Sequence, residues 1–412
     1  MINLAGQKII IGVCGGISAY KTAELVRLLV KEKACVQVCM TSNATRFISP
    51  LTFEALSGNK VITDMWNEPE SGGLAHISWG QCSNLIIIAP ATANIIGKAA
   101  NGIADDFLSS MLIAATSPVI LCPAMNTMMF RNTAVTSNIH TLRQRGFHVM
   151  DPASGDLACG TAGEGRLPEP SEILEEAIIL LTPSDLAGYN ILITAGPTVE
   201  PIDPVRFISN RSSGKMGCSI AKAARFRGAE VTLVTGNITA KCPSGVELIK
   251  IQTAEEMHKA VTDLSRSFDI IIKTAAVADY KPMCISEHKI KKSNKKIAIE
   301  LEPTKDILAD LGKKKKKEGF FIAGFAAETE NFIENATAKL KNKNLDIIVI
   351  NDVSKQDTGF YSDYNTVKIL SNDGIITETD ILPKDTIAHI ILDKIVSSLN
   401  GKKNEDSNNR RR

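Results

Sequence analysis

The sequence predicts an α/β protein made of two doubly wound, Rossmann-like domains with largely parallel sheets. Short apolar runs alternate with helical patterns throughout the chain. The order strand, glycine turn, helix, strand begins twice, and a proline-containing hinge separates the two beginnings. A length of 412 residues allows roughly two or three domains at about 150 residues each.

In the first half, Lys8–Val13 is an apolar run entering the turn Gly12-x-x-Gly15-Gly16-x-Ser18, and a helical pattern follows over Ala19–Val30. Val36–Thr41, Leu85–Ala89, Val119–Cys122 and His148–Met150 read as the remaining strands. Pro168–Pro170, a helix over Glu172–Leu181 and Thr182-Pro183-Ser184-Asp185 form the hinge, which places a boundary near 188. The second half restarts with Asn190–Thr194, the turn Gly196-Pro197-Thr198 and a helix over Ser213–Arg227. Its further strands are Glu230–Thr235, Leu248–Ile251, Ile270–Thr274, Phe321–Phe325 and Asp346–Asn351. The expected domains are therefore 1–188 and 189–400, with a polar tail, 401–412, expected to be frayed. The run Lys313–Lys317 reads as a solvated helix end or loop.

Composition narrows the function. Net charge is +2 and aromatic content 5%, so neither a basic field nor stacked aromatics point to nucleic acid. Residues 1–188 carry 12 Lys/Arg against 16 Asp/Glu (−4), leaving 35 against 29 (+6) beyond, so the second half suits anionic ligands. No apolar run approaches the roughly 20 residues of a membrane span, and Met1–Gly6 has no cationic region of a secretory signal. The nine cysteines include no C-x-x-C pair, and Cys35, Cys39, Cys122 and Cys218 lie in or beside apolar segments. Reduced thiols in a cytoplasm are expected, without zinc.

Several loops carry chemistry. The first turn lacks the G-x-G-x-x-G spacing of a dinucleotide site, although its glycines still allow a ligand close to the backbone. Leu85–Ala89 runs into Pro90-Ala91-Thr92-Ala93-Asn94, small and polar residues where a strand's carboxyl end meets a helix. Val119–Cys122 runs into Pro123-Ala124-Met125-Asn126. Gly155-Asp156-Leu157-Ala158-Cys159-Gly160-Thr161-x-Gly163-x-Gly165 surrounds one cysteine that belongs to no apolar strand. In the second half, Ser209-Asn210-Arg211-Ser212-Ser213-Gly214-Lys215-Met216 departs from the P-loop pattern at 209 and 216. Lysines recur near strand ends, in Lys273–Tyr280, His288–Lys292 and Ala338–Lys343.

Together these blocks, with His76 in Ala75-His76-Ile77, resemble the homo-oligomeric flavin-containing cysteine decarboxylase family, from Lys8 to about Asp393. Within it they are similar to the bifunctional members that join a phosphopantothenoylcysteine decarboxylase to a phosphopantothenate–cysteine ligase. The resemblance implies FMN, held by Gly15, Gly16, Ser18, Thr41, Ser42, Pro90, Thr92 and Asn94. It implies oxidation of the substrate's cysteine moiety to an electron-sink thioaldehyde, loss of CO2, and return of a hydride and a proton. Cys159 would be the proton donor, Asn126 would hold the substrate carboxylate, and His76 would act as base or orienter. His140 and His148 are expected to be structural.

For the second half the resemblance implies that CTP activates 4'-phosphopantothenate as an acyl-cytidylate, which the L-cysteine amine then attacks. Mg2+ and lysines would neutralise the meeting anions. The implied CTP residues are Lys273, Thr274, Ala275, Asp279, Lys289, Lys305, Asp306, Ile307, Leu308, Phe325, Lys339 and Lys343. Asp279 is the implied metal ligand, and Asn210 belongs to the acyl-cytidylate site. Spacing alone leaves Lys289 and Lys291 equivalent; the family position selects Lys289. The family's Asn-Pro-Asp-Ile loop reads Thr304-Lys305-Asp306-Ile307 here, without the fixed φ of proline. Trimers through the first half and dimers through the second would close into a dodecamer. The rival readings are an NAD-dependent oxidoreductase, which lacks its fingerprint, and a non-catalytic scaffold, which would not need the full residue set.

Overall fold

The computed structural model describes residues 4–66, 74–156, 160, 162–292, 296–328, 332–352 and 362–409. Two compact units divide the chain, one ending at Pro183 and the other beginning at Ser184.

The first unit opens with β1 (Lys8–Val13), α1 (Ala19–Lys31), β2 (Cys35–Met40), α2 (Pro50–Ser57) and α3 (Ala75–Cys82). Then come β3 (Leu85–Ala91), α4 (Ala93–Asn101), α5 (Phe107–Ala114), β4 (Val119–Pro123), α6 (Thr127–Phe130), α7 (Thr133–Gln144) and β5 (His148–Val149). A hairpin of β6 (Ala153–Asp156) and β7 (Ala162–Arg166) precedes α8 (Pro170–Leu181). The five-stranded sheet has the order β2-β1-β3-β4-β5, and every pairing is parallel. Its strands are buried on both faces. Ile9 and Ile11 meet Leu25 of α1 and Ile173 of α8, whereas Ile10 and Ile88 meet Ile95 of α4 and Met111 of α5. Strand order reverses direction between β1 and β3, so the loops leaving those two strands border the ligand crevice of such a sheet.

The second unit begins with β8 (Asn190–Ala195), the hairpin β9 (Val199–Pro201) and β10 (Phe207–Ser209), α9 (Lys215–Phe226), β11 (Glu230–Thr235) and β12 (Glu247–Lys250). It continues through α10 (Ala254–Leu264), β13 (Ile270–Lys273), the paired β14 (Tyr280–Pro282) and β15 (Leu301–Pro303), and α11 (Ile307–Glu318). β16 (Phe321–Glu328), α12 (Phe332–Asn342), β17 (Ile347–Asp352), β18 (Tyr364–Asn365), β19 (Val367–Ser371), β20 (Ile376–Glu378), β21 (Leu382–Pro383) and α13 (Lys384–Asn409) complete it. The eight-stranded sheet runs β12-β11-β8-β13-β16-β17-β19-β20. Its first six strands are parallel and the last two antiparallel. The reversal of order here lies between β8 and β13.

The antiparallel strands β19 and β20 extend the sheet beyond the strands read from the sequence. At the other end of the unit, α13 runs past 401 to Asn409. Ile387, Ile391 and Ile395 anchor that helix in the core, and once nucleated each added residue gains a backbone bond without a new nucleation cost.

The lysine run forms the last turn of α11, where cations complement the helix carbonyls. Lys314 donates to the Thr262 carbonyl at 2.8 Å and Lys315 pairs with the buried Asp346 at 2.7 Å, so the run is partly structural. No helix among the described residues is long and apolar enough to cross a membrane.

Candidate active site

In the first unit, three loops at the carboxyl edge of the sheet meet around Gly15 and Gly16. A Cβ on Gly15 would lie 2.6 Å from Asn43 Cβ, so the loop after β2 can approach only a glycine there. Gly16 faces the ring of Pro90, and the Cys14 thiol contacts Thr92 at the start of α4. Burial, above all, pushes the Cys14 thiol up to about 12, so this sulfur is an inert core atom. Thr41 donates its N–H to Val13 and Ser42 accepts from the Thr45 hydroxyl, which fixes the β2 loop. Ser18 and Thr92 are the N-caps of α1 and α4, yet neither side chain caps its own helix, and neither first turn holds an acid. Asn94 lies in the first turn of α4. Two helix starts thus present N–H groups toward one crevice, an arrangement suited to an anion.

Asn126 is the N-cap of α6, and its Oδ1 accepts from Met128 N at 2.8 Å, which settles which end of the amide donates. The β6–β7 hairpin docks on this loop through Met125 N to the Gly165 carbonyl at 2.9 Å and the Thr127 hydroxyl to the Glu164 carbonyl at 2.8 Å. Cys159 lies between those strands in sequence, outside the described residues. His76, on α3, packs edge-on against Phe107 with ring centroids 6.5 Å apart, and its buried Nδ1 has no hydrogen-bond partner among the described residues. His140 contacts Gln144 and His148 contacts Glu176, both structural arrangements.

In the second unit, Lys273 ends β13 beside the reversal of strand order. Thr274 donates its hydroxyl to the Thr194 carbonyl, and Ala275 N donates to the Thr194 hydroxyl at 3.1 Å. Thr198 receives Ala278 N at 3.0 Å, and Thr304 donates to the Ala278 carbonyl at 2.6 Å. Asn210 donates its side-chain amide to the Val277 carbonyl, joining this loop from the hairpin side. Burial, then the cations of Lys343 and Lys339, lower the Lys273 pKa to about 8, while Asp306 and Asp279 oppose the shift. Five charged candidates therefore share one field.

Asp306 caps α11 through Ala309 N at 3.1 Å and pairs with Lys343 at 2.8 Å. Burial alone would raise its pKa, but the Lys343 contact, the Ala309 N–H and the Lys273 cation together outweigh it and hold the carboxyl below the usual range. Lys305 pairs with Glu255 at 2.7 Å, so the segment that lacks proline is fastened by an ion pair.

Other candidates are placed differently. The side chains of Ile307 and Leu308 are buried in the core, so only their backbone can face a ligand. Phe325 packs against the opposite core, with α9 and α13. Lys289 is exposed on the irregular segment after β14. Among the described residues no three His, Cys, Asp or Glu side chains gather into a metal site. Thr194, Thr198, Asp203 and Glu255 organise these loops and were not read from the sequence. Thr198 lies in the turn read at Gly196-Pro197-Thr198, and Asp203-Pro204 carries the local pattern of a turn, but neither pattern marks a role in the site.

Residues 2–181 match the family model described as Flavoprotein, and 186–399 match the one described as DNA/pantothenate metabolism flavoprotein C-terminal domain. The coenzyme A biosynthesis bifunctional protein CoaBC of Bacillus subtilis (strain 168) is 46% identical over 398 residues, 96% of this chain and 98% of that protein. Its counterpart in Escherichia coli (strain K12) is 42% identical over 403 residues, covering 96% and 98%. A solved C-terminal domain of a CoaBC protein shares 43% identity, with a TM-score of 0.46, over 53% of this chain and 99% of that one. With both models side by side and relatives matching almost end to end, the chain belongs to the family of bifunctional coenzyme A biosynthesis proteins.

Proposed function

We propose that the second unit uses CTP to join L-cysteine to 4'-phosphopantothenate, and that the first unit decarboxylates the product to 4'-phosphopantetheine with FMN. The charged cluster around Lys273 carries the ligase reading, because a triphosphate and a carboxylate can meet only where cations screen both. Lys273, Lys339 and Lys343 hold phosphate oxygens, with Asp306 orienting Lys343. Asp279 would supply one oxygen to Mg2+, which would neutralise triphosphate charge when bound; Mg2+ is ordinarily held through one or two carboxylates plus substrate phosphates. Asn210 serves the acyl-cytidylate, and Lys289 neutralises charge between phosphate and attacking carboxylate.

FMN fits the first crevice: its glycine-walled loops admit a ligand near backbone, and two helix starts await a phosphate. When bound, FMN supplies reversible two-electron exchange with the substrate's cysteine moiety. Asn126 orients the substrate carboxylate, His76 acts at the oxidation–decarboxylation step, and the Cys159 thiol delivers the final proton. Exposed Ile17, Tyr20 and Leu51 in the first unit, and Val205, Phe207 and Met283 in the second, support homo-oligomers, with trimers and dimers forming a dodecamer in the cytoplasm.

Incubation with 4'-phosphopantothenate, cysteine, Mg2+ and CTP is expected to yield the amide, then CO2 and 4'-phosphopantetheine, from a yellow protein. Omitting CTP stops both products, while adding the preformed amide restores only the second. A colourless protein, or amide formation without nucleotide, overturns the reading.

A further inference from the structure

The β9–β10 hairpin turns through Ile202-Asp203-Pro204-Val205-Arg206. Asp203 is buried at its centre, with its side chain 0% exposed. Its Oδ1 accepts from Val205 N and Arg206 N, both at 2.8 Å, which is the ordinary use of aspartate in a turn. Its Oδ2 has a different use. It accepts from the Arg206 guanidinium at 3.1 Å and from Ile290 N, also at 3.1 Å and 87 residues away in sequence. Arg206 donates in turn to the Ile290 carbonyl at 3.1 Å, and Ser286 N donates to the Ile202 carbonyl at 2.9 Å. The Ser286 hydroxyl closes on the His288 carbonyl at 2.7 Å. Both backbone polar groups of Ile290 are therefore gripped by the turn, one residue from Lys289.

We propose that Asp203 is a positioning residue for Lys289: through Ile290 its buried carboxylate clamps the segment 286–290, so that an otherwise exposed lysine is presented from a fixed backbone. The assignment rests on the ligase reading of Lys289. A long exposed side chain on a loose segment loses much of its electrostatic value, because each encounter must reorder it. Burial alone would raise the Asp203 pKa, but the N–H groups of Val205, Ile290 and Arg206 outweigh it and hold the carboxyl below its usual range. The clamp thus stays ionised at neutral pH.

The two oxygens allow the clamp to be cut without cutting the turn. In Asp203→Asn the single oxygen stays with Val205 N and Arg206 N, and the amide nitrogen then faces the Ile290 N–H, donor against donor. Hydrogen exchange at Ile290 N is expected to quicken at least about tenfold, while Val205 and Arg206 are unchanged. The turnover number for amide formation should fall by about ten- to a hundredfold with the CTP KM changed less than about twofold. The double variant Asp203→Asn/Lys289→Gln should be no slower than Lys289→Gln alone. Unchanged exchange at Ile290, or losses that add in the double variant, overturn the proposal. Should Asp203→Asn not fold, Ile290→Pro removes the same N–H and leaves the turn; exchange is then read at Ser286 N, which donates to the Ile202 carbonyl and should quicken, with the same kinetic outcomes expected. Exchange is read without substrate. If it responds while the wild-type protein forms no amide from CTP, the ligase reading falls and the clamp itself stands.

Discussion

Asn210 donates its side-chain amide to the Val277 carbonyl at 2.9 Å, which ties the end of the β9–β10 hairpin to the loop leaving β13. Both groups lie at the carboxyl edge of the sheet, beside the reversal of strand order. Asn210→Ala removes a neutral hydrogen bond worth about 1 kcal/mol, so the melting temperature should move by only a few degrees. Amide formation should nevertheless drop about a hundredfold, since under the proposed function the loop it orients contacts the nucleotide. A thermal melt and a CTP-dependent amide assay on one preparation check both halves of the expectation.

Under the proposed function, Lys273 is expected to make CTP binding depend on pH. Its pKa of about 8 means that it is mostly protonated at pH 7 and loses its charge as pH rises through 8. The KM for CTP should be flat below pH 7 and rise by about tenfold toward pH 9, with proton uptake on CTP binding near pH 8. Lys273→Met should remove that pH dependence. Stability moves the other way: between about pH 8 and about 10.4 the unfolded chain binds more protons, so this residue's contribution to stability increases with pH. A CTP titration repeated from pH 6.5 to 9 decides the first point.

Glu255 neutralises Lys305, and the Lys305 contact holds the Glu255 carboxyl below its usual range. Both side chains are more than half exposed, so the pair adds at most about 1 kcal/mol to stability. Glu255→Gln frees a cation on the segment proposed to contact the nucleotide and should lower the CTP KM by about two- to fivefold at low salt. At about 1 M salt, where the Debye length is about 3 Å, that gain should vanish. An unchanged KM at low salt would mean that Lys305 plays no part in nucleotide binding.

Gly165 adopts φ 138°, and a Cβ on it would lie 2.1 Å from the Met125 carbonyl oxygen. Gly165→Ala must therefore lift the β6–β7 hairpin from the Asn126 loop, at a cost of about 1–3 kcal/mol. Decarboxylation should fall at least about tenfold, while CTP-dependent ligation is retained. Equal loss of both activities would contradict the division of labour between the units.

Much of the frame is legible in the residues because buried parallel strands are nearly continuous apolar runs. Leu85–Ala89 and Ile270–Ile272 announce themselves, as do the glycine turns that follow β1 and β8. Strands β19 and β20 do not, since Lys368 interrupts the apolar pattern of β19 and the edge strand β20 is largely exposed. Asp203 carries only a turn signal, because what distinguishes it is a partner 87 residues away. Ile307 and Leu308 illustrate the opposite case: a motif position marks a nucleotide loop, but the side chains there turn into the core.

The last helix of the chain has a consequence for how the protein is made. In the first unit, α8 completes a core through Ile173 and Ala177 whose members among the described residues run from Leu4 to Leu181. That core can therefore close while the rest of the chain is still being translated. The second unit cannot do the same. Its first helix, α9, shares a core with Ile387, Ala388, Ile391, Leu392 and Ile395, and Arg227 bridges Asp185 at 2.5 Å and Asp393 at 2.7 Å. The apolar face of α9 must wait on the ribosome for residues more than 150 positions downstream. Of the two units, the second is the one that spends its synthesis exposed, and so the one that chaperones and proteases meet unfinished.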